Sequence, residues 1–256
     1  MKHLFFIIFL LDVVKGFSQE EIPGLITDRP DQTESAAVVP LHFLQIESGF
    51  FVEKTSGNQF VQKSFAYNST LLRYGLVKNL ELRLGLELLG DKNTVSGTQT
   101  NYSGLSPLYT GAKLKISEEK ELKPDIAILG GLFLPFTANS NFKTENIQSI
   151  LRLAFAHTLS DYLSLGYNFG SVWNGSSAIP DWIYSVSLGI SLSERLGMFL
   201  ESFGTFYRHI KAEHLLDTGF TFLVLPNLQF DVSGGMGIYN GVDHFFSCGL
   251  SWRIPN

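Results

Sequence analysis

Cysteine and charge are both scarce in this sequence of 256 residues. The single cysteine, Cys248, has no partner for an internal disulfide, and its isolation excludes a CxxC metal or redox site. Charged residues make up only 17% of the chain, the formal net charge is -5, and the absence of a basic cluster argues against nucleic acid as a partner. Beyond the N-terminus, no apolar run is long enough for a membrane-spanning helix.

Phenylalanine and glycine, by contrast, are abundant. The chain has 22 Phe and 24 Gly, and 45% of its residues are hydrophobic, so it must bury or hide a large apolar surface. These residues are spread evenly, and no linker-like stretch separates them. The sequence therefore predicts one large ordered domain rather than two small domains or a disordered chain.

The first 18 residues have the layout of a secretory signal peptide. Lys2 precedes the apolar run 4–11, and the small residues Gly16 and Ser18 stand at the −3 and −1 positions of a cleavage site. A membrane anchor is the alternative, but this run, which is followed by Asp12, is too short to span roughly 30 Å of hydrocarbon. We therefore expect residues 1–18 to be removed after export.

Hydrophobic residues then alternate with polar ones along most of the chain. From Leu80 to Leu88, leucine occupies every second position, and the residues between are charged or glycine. A helix would scatter these leucines around its axis, whereas a strand places them all on one face. The same alternation recurs at 163–170, 182–192, 228–233 and 246–253.

This alternation predicts twelve strands, most of them about as long as a tilted membrane-crossing strand. They lie near residues 42–53, 61–76, 80–88, 105–116, 125–136, 147–159, 163–171, 182–192, 197–207, 215–225, 228–238 and 244–254. Tight turns alternate with longer polar loops, and the long loops at the entrance are 90–104, 137–146 and 172–181. Short turns on one side and long loops on the other are typical of an outer-membrane barrel with a periplasmic short side, so both termini are expected in the periplasm.

The placement of charge distinguishes a membrane barrel from a soluble sandwich. A sandwich turns its apolar face inward, whereas a membrane barrel turns that face toward lipid and keeps polar groups inside. The polar face of the predicted strands carries charges among Gly and Ser, which favours an all-β, antiparallel transmembrane up-and-down barrel over residues 42–256. Eleven charged side chains are therefore lumen and solute-path candidates: Glu47, Arg73, Glu81, Arg83, Glu87, Lys113, Arg152, Glu201, Asp217, Asp231 and Arg253.

Two interpretations of these eleven side chains remain open. They can pair across neighbouring strands and fill a narrow lumen, or they can select the solute. Their signs nearly balance, which favours structural pairing for most of them. Glu81, Arg83 and Glu87 share one inner face and are expected to form a lumen network.

Aromatic side chains also have two possible orientations. Lipid-facing or interfacial positions are predicted for Tyr74, Tyr109, Phe155, Tyr162, Tyr167, Trp173, Trp182, Phe206, Phe222 and Trp252. Inward positions, filling a cavity or lining an apolar path, are predicted for Phe43, Phe51, Phe65, Phe133, Phe199, Phe203 and Phe245.

Several segments resemble one known family. Residues 26–35 (ITDRPDQTES), 39–40 (VP) and 43–50 (FLQIESGF) are similar to the start of the proteins called "Putative MetA-pathway of phenol degradation". Shorter similar pieces lie at 72–76, 80–83, 111–113, 134–136, 216–219 and 227–231. The resemblance implies an outer-membrane, transporter-like barrel grouped with hydrophobic-substrate transport. At 135–137 the chain reads Pro-Phe-Thr where the family often has Pro-Thr-Gly, so no turn-specific role is carried over there.

Residues 19–41 form a polar stretch before the first strand. Pro30 fixes φ and lacks a backbone donor, which disfavours a strand. Two interpretations of the stretch are open, and one is a lumen plug or periplasmic lid, tied by Arg29 to inward carboxylates such as Glu47 or Glu81. A solvated leader is the alternative. The plug candidates are Asp28, Arg29, Asp31 and Glu34.

Catalytic and metal-binding motifs are missing from the sequence. The six histidines are scattered, and no HExxH, GxSxG or Walker sequence is present. No histidine is followed by serine two residues later, as a barrel phospholipase would require. The sequence therefore predicts a protein that is not an enzyme and uses no metal or cofactor.

Together these features predict an outer-membrane channel or transporter for passive passage of a small hydrophobic or aromatic solute. The alternative is a non-conducting barrel with a structural or surface-interaction role. The expected partners are outer-membrane lipid, an unidentified small solute and, during biogenesis, the barrel-assembly machinery.

Overall fold

The computed structural model describes residues 23–208 and 210–254, most of which lie in antiparallel strands. In chain order the strands are β1 (Leu44–Ser56), β2 (Phe60–Val77), β3 (Leu80–Val95), β4 (Thr98–Leu105), β5 (Leu108–Ser117), β6 (Asp125–Leu134), β7 (Gln148–Thr158), β8 (Leu163–Trp173), β9 (Asp181–Ser191), β10 (Leu196–Phe206), β11 (Glu213–Leu225), β12 (Leu228–Tyr239) and β13 (His244–Ile254). A single turn of 3-10 helix, Pro135–Thr137, follows β6. Within the described residues, no helix is both long enough and apolar enough to cross a membrane.

The sheet closes on itself as a barrel. β1 pairs with β13 on one side and with β2 on the other, so Leu44 lies opposite both Ile254 and Tyr74. Pairing then runs from β13 down to β5, and β3 completes the ring by pairing with β5 and β2. Closure gives every strand of the ring a partner on both sides, which a spanning strand requires because lipid cannot hydrogen-bond free backbone groups, while β4 pairs with β3 alone. The predicted antiparallel barrel is confirmed.

Thirteen strands occupy twelve positions in the wall. β3 pairs with β5 over residues 80–85 and with β4 over residues 88–95, so β4 and β5 share one position. Ser106 and Pro107 separate them, and Pro107 has no backbone N–H for the ladder. The barrel is therefore twelve-stranded, as the alternation predicts.

The predicted loop 90–104 is wrong, because this stretch forms a β-hairpin. β3 continues to Val95, and Ser96 and Gly97, with φ values of 49° and 85°, turn the chain into β4. Two successive residues with positive φ make the tight turn that matches the twist of paired strands. Leucine stops alternating at Leu89, so the apolar pattern could not predict this polar extension of the hairpin.

Side-chain exposure follows the inside-out pattern of a membrane barrel. On β3, Leu82, Leu86 and Leu88 are 42–44% exposed, whereas Glu81 and Arg83 are at most 3% exposed. Leucines that face outward along the whole strand would be costly in water and are favourable in acyl chains. The apolar face of this barrel is therefore a lipid-facing surface.

Candidate functional site

Residues 23–41, called the N-terminal segment below, lie among the inward-facing side chains of the barrel. Near its start, Arg253 donates to the Pro23 carbonyl oxygen at 2.7 Å. Farther on, the backbone N–H of Glu34 donates to Asn168 Oδ1 at 2.7 Å, on the opposite side of the wall. The segment therefore crosses the lumen and contacts strands on both sides of it.

Asp28 is the most heavily bonded residue of the N-terminal segment. Its carboxylate lies 3.0 Å from Arg73, 2.9 Å from Arg83 and 2.8 Å from Lys113, and it accepts the N–H and hydroxyl of Ser35 at 2.9 and 2.7 Å. Burial raises the pKa of the Asp28 carboxyl, but the charges of Arg73, Lys113 and Arg83 together hold that pKa well below its usual range. Asp28 therefore stays ionised and joins three strands to the segment.

The wall beneath Asp28 is a continuous network of buried charges. Arg73 donates to Glu47 at 2.7 Å and to Glu81 at 2.9 Å. These carboxylates also accept backbone N–H groups of the segment, from Asp28 at 3.0 Å and from Val39 at 2.8 Å. Each carboxylate therefore has both a cation and a main-chain donor, which is what a buried charge needs.

Arg29 binds a different carboxylate from the one expected. Its guanidinium lies 2.9 Å from Asp231 and 3.0 Å from the Ser247 hydroxyl, so Arg29 pairs with an inward carboxylate as predicted, but this carboxylate is neither of the two named examples, Glu47 and Glu81. It rests on Gly49 and Gly249, where a Cβ atom would lie 2.4–2.5 Å from guanidinium atoms. Side chains at those two glycines would close the slot that holds Arg29.

A second carboxylate, Glu201, holds the middle of the N-terminal segment. It accepts the backbone N–H of Gln32 at 2.7 Å and the hydroxyl of Thr33, whose oxygen lies 2.8 Å from the Ser185 hydroxyl oxygen. Directly across the strand pair lies Asp217, whose two buried carboxylate oxygens have no hydrogen-bond partner among the described residues. Two carboxyl groups that face each other across strands repel each other when both are ionised.

Asp217→Asn is expected to raise the free energy of unfolding by about 1 kcal/mol, because it removes one of two facing carboxylates and supplies a donor to Glu201. Asp231→Asn is the matched comparison, because it makes the same substitution at a carboxylate that has a cationic partner. It should lower stability by about 1–3 kcal/mol, because Arg29 loses its countercharge. Urea unfolding in lipid vesicles, followed by tryptophan fluorescence, measures both. Equal shifts in the same direction would contradict this difference between the two sites.

Two cavities lie on either side of the N-terminal segment. The larger, of about 520 Å³, is open toward the long loops, and the smaller, of about 310 Å³, lies beside Ser164 and Ser191 near the short turns. Both cavities are lined by four residues of the segment: Arg29, Pro30, Asp31 and Glu34. Burial and the nearby Glu201 carboxylate raise the pKa of Asp31 well above its usual range.

The wall of the larger cavity carries an aromatic surface. Tyr109 lies over three glycines, because Cβ atoms at Gly85, Gly111 and Gly131 would all come within 3.0 Å of its side chain. Phe133 is beside it, with ring centroids 5.1 Å apart. The prediction that Tyr109 faces lipid is therefore wrong. The three glycines beside it on the inner face leave room for its ring. They are the feature of the sequence that could have predicted the inward position of Tyr109.

The structure places all eleven predicted lumen residues on the inner face. Nine are buried, namely Glu47, Arg73, Glu81, Arg83, Lys113, Glu201, Asp217, Asp231 and Arg253. The other two, Glu87 and Arg152, are partly exposed and line the larger cavity, as do the plug candidates Asp28, Arg29, Asp31 and Glu34. A role for these residues in solute passage stays a prediction.

The predicted network of Glu81, Arg83 and Glu87 forms only in part. Arg83 donates to Glu81 at 3.2 Å, but Glu87 accepts from the Ser69 hydroxyl at 2.9 Å. Arg152 donates to the Gln32 carbonyl oxygen at 2.9 Å. Among the residues with described positions, no group of three His, Cys, Asp or Glu side chains is arranged to hold a metal ion.

Solved structures with the same fold are outer-membrane barrels. The COG4313 outer membrane channel from Pseudomonas putida F1 is 14% identical with a TM-score of 0.67, and the match covers 90% of this chain and 100% of that one. The transport unit of the autotransporter AIDA-I from Escherichia coli is 8% identical with a TM-score of 0.55, covering 97% of each chain. The KdgM porin in complex with disordered oligogalacturonate is 9% identical with a TM-score of 0.52, covering 83% and 99%.

At these identities the likeness shows the fold alone, which is that of an outer-membrane β-barrel. A comparison with curated proteins found no match. The family model described as "Putative MetA-pathway of phenol degradation" matches residues 27–254, which is the whole barrel together with most of the segment inside it. The chain therefore belongs to that family.

Proposed function

We propose that this protein is a channel through which a small hydrophobic or aromatic solute crosses the outer membrane passively. The larger cavity is the observation that carries the proposal. Its volume of about 520 Å³ is in the range of small-molecule sites, and its wall combines the rings of Tyr109, Phe133 and Phe245 with seven charged side chains. The family description, which refers to phenol degradation, agrees with an aromatic solute.

In this proposal the N-terminal segment is a plug that controls the path between the two cavities. Arg29, Pro30, Asp31 and Glu34 line both cavities, so a solute that leaves the larger one must pass along these residues or displace them. The ion pairs of Asp28 and Arg29 fix one part of the plug to the wall. Displacement would therefore begin elsewhere in the segment.

The topology in the cell is part of the same proposal. Residues 1–18, the expected signal peptide, lie outside the described residues. The barrel would be assembled by the barrel-assembly machinery with its short turns and both termini in the periplasm. The larger cavity would then open to the outside, where an incoming solute arrives.

A non-conducting barrel with a structural or surface-interaction role is the second candidate. The buried ion pairs that join Asp28 to three strands favour it, because they tie the N-terminal segment across the lumen. In that case the charged residues only fill the interior.

Uptake by cells distinguishes the two candidates. A deletion strain should take up radiolabelled phenol or toluene more slowly than the same strain carrying the gene on a plasmid, while uptake of glucose stays unchanged. A conducting barrel also gives current steps in planar bilayers. Unchanged uptake of both aromatic solutes, together with a bilayer free of current steps, would support the non-conducting barrel.

A further inference from the structure

We propose that Tyr109, Phe133 and Arg152 form a subsite for a monoaromatic carboxylate, a benzoate-like anion, in the larger cavity. The inference rests on the proposed function, because it specifies the solute class of the same cavity. The two rings would hold the aromatic part of the solute, and the guanidinium would bind its carboxylate.

The Tyr109 ring is presented to the cavity by the local sequence. Gly85 lies opposite Tyr109 across the strand pair, and Gly111 lies two residues along β5. Gly131 is the cross-strand partner of Gly111. Added Cβ atoms would lie 3.0 Å from Tyr109 Cβ at Gly85, 2.5 Å from its hydroxyl at Gly111 and 2.2 Å from its ring at Gly131. The ring therefore lies along the wall, and one of its faces is available for stacking.

The hydroxyl end of the Tyr109 side chain points along the barrel wall in the direction of Arg152. Gly131 lies opposite Ile150 on β7, and Arg152 is the next inward residue along that strand. Diagonal neighbours of this kind are about 7–8 Å apart, which a long arginine side chain spans. The Tyr109 hydroxyl itself has no hydrogen-bond partner among the described side chains and backbone groups, so it is free to donate to a solute.

Arg152 differs from the basic side chains that surround Asp28. Arg73, Arg83 and Lys113 each lie within 3.0 Å of a carboxylate. Arg152 instead uses one guanidinium nitrogen on the Gln32 carbonyl oxygen at 2.9 Å and on Asn168 at 3.5 Å, with no ion-pair partner among the described residues. Its position is thus fixed, while its other N–H groups can make a two-point contact with a carboxylate.

Four acidic side chains line the cavity and bear on this choice of anion: Asp28, Asp31, Glu34 and Glu87. Asp28 and Glu34 each lie 2.9 Å from Arg83, so each has a cationic partner. Glu87 accepts a hydrogen bond from Ser69. Along β3 it lies beyond Gly85, so it is one inward-facing position farther than Arg152 from the hydroxyl end of Tyr109. Asp31 lines the same cavity, but burial and Glu201 favour its neutral form. A ring stacked on Tyr109 would therefore place an anionic substituent beside Arg152 and away from Glu87.

Binding of three matched probes tests the subsite. The refolded full chain in detergent is titrated calorimetrically with benzoate, benzyl alcohol and benzylamine at neutral pH. Benzoate is expected to bind at least roughly tenfold more tightly than the other two, because only it can pair with a guanidinium. Equal affinity of benzoate and benzyl alcohol, or tighter binding of benzylamine, would overturn the anion subsite and leave an aromatic channel intact. Absence of binding by all three would overturn both.

Variants assign the effect to named side chains. Arg152→Gln should abolish the preference for benzoate over benzyl alcohol, and Arg152→Lys should restore part of that preference. Tyr109→Leu should weaken both ligands, whereas Tyr109→Phe should retain the ring contribution. Arg208→Gln, at an exposed arginine that contacts Ser177, is the control and should change neither affinity. Each variant is first checked for folding by its heat-dependent gel mobility. A folded Arg152→Gln protein that still prefers benzoate would contradict the assignment.

Discussion

Deletion of residues 23–40 is expected to raise the single-channel conductance of the refolded protein severalfold in planar bilayers. The deletion removes the residues between the cavities of about 520 and 310 Å³, so that one continuous aqueous path replaces two separate spaces. The wall strands keep their pairing, because no strand of the barrel lies in the deleted stretch.

The point variant Asp28→Asn tests the same effect without shortening the chain. It weakens the attachment to Arg73, Arg83 and Lys113 and should give a smaller rise in conductance, with more frequent current fluctuations. Asp161→Asn, at an exposed turn, is the control and should leave the current unchanged. Equal currents in the wild type and the deletion variant would mean that the segment does not limit the path.

Leu84→Arg is expected to prevent assembly of the barrel in membranes. Leu84 is flanked on β3 by the inward Arg83 and Gly85, so its own side chain points toward lipid. A lipid-facing arginine near mid-bilayer costs about 2–4 kcal/mol, a large fraction of the stability of a typical domain. The folded band in a heat-dependent gel-mobility assay should disappear.

Glu87→Gln is the matched control on the same strand. Glu87 faces the larger cavity and accepts a hydrogen bond from Ser69, which a glutamine oxygen can also accept. This variant should therefore assemble like the wild type. Similar assembly defects in the two variants would mean that the two faces of β3 are wrongly assigned.

Period-two alternation made the barrel predictable from the sequence. An alternating strand separates its two faces by residue parity alone, so the leucines of β3 predict the inward placement of Glu81 and Arg83 without any knowledge of the fold. The same parity places the other predicted lumen charges on the inner face. The alternation did not predict the hairpin beyond Leu89, because the residues there are polar and apolar side chains no longer mark a lipid-facing side.

The contacts of the N-terminal segment could not be predicted in the same way. Arg29 binds Asp231, 202 residues away, and this contact depends on the register that brings Gly49 and Gly249 together when β1 closes against β13. No local pattern encodes that juxtaposition. Tyr109 was misassigned for another reason: an aromatic ring suits both lipid and lumen, and only the glycines across β3, β5 and β6 decide between them.

A disulfide cross-link tests most directly whether the N-terminal segment lies in the lumen. The hydroxyl oxygens of Thr33 and Ser185 are 2.8 Å apart, so Thr33→Cys and Ser185→Cys, combined with Cys248→Ser, place two thiols within reach of each other. Mild oxidation of native outer membranes should join them, and mass spectrometry of the proteolysed chain should detect the linked peptides. Free thiols at both positions after oxidation, with the thiol introduced by Thr33→Cys accessible to a bulky membrane-impermeant reagent, would contradict a segment seated inside the barrel.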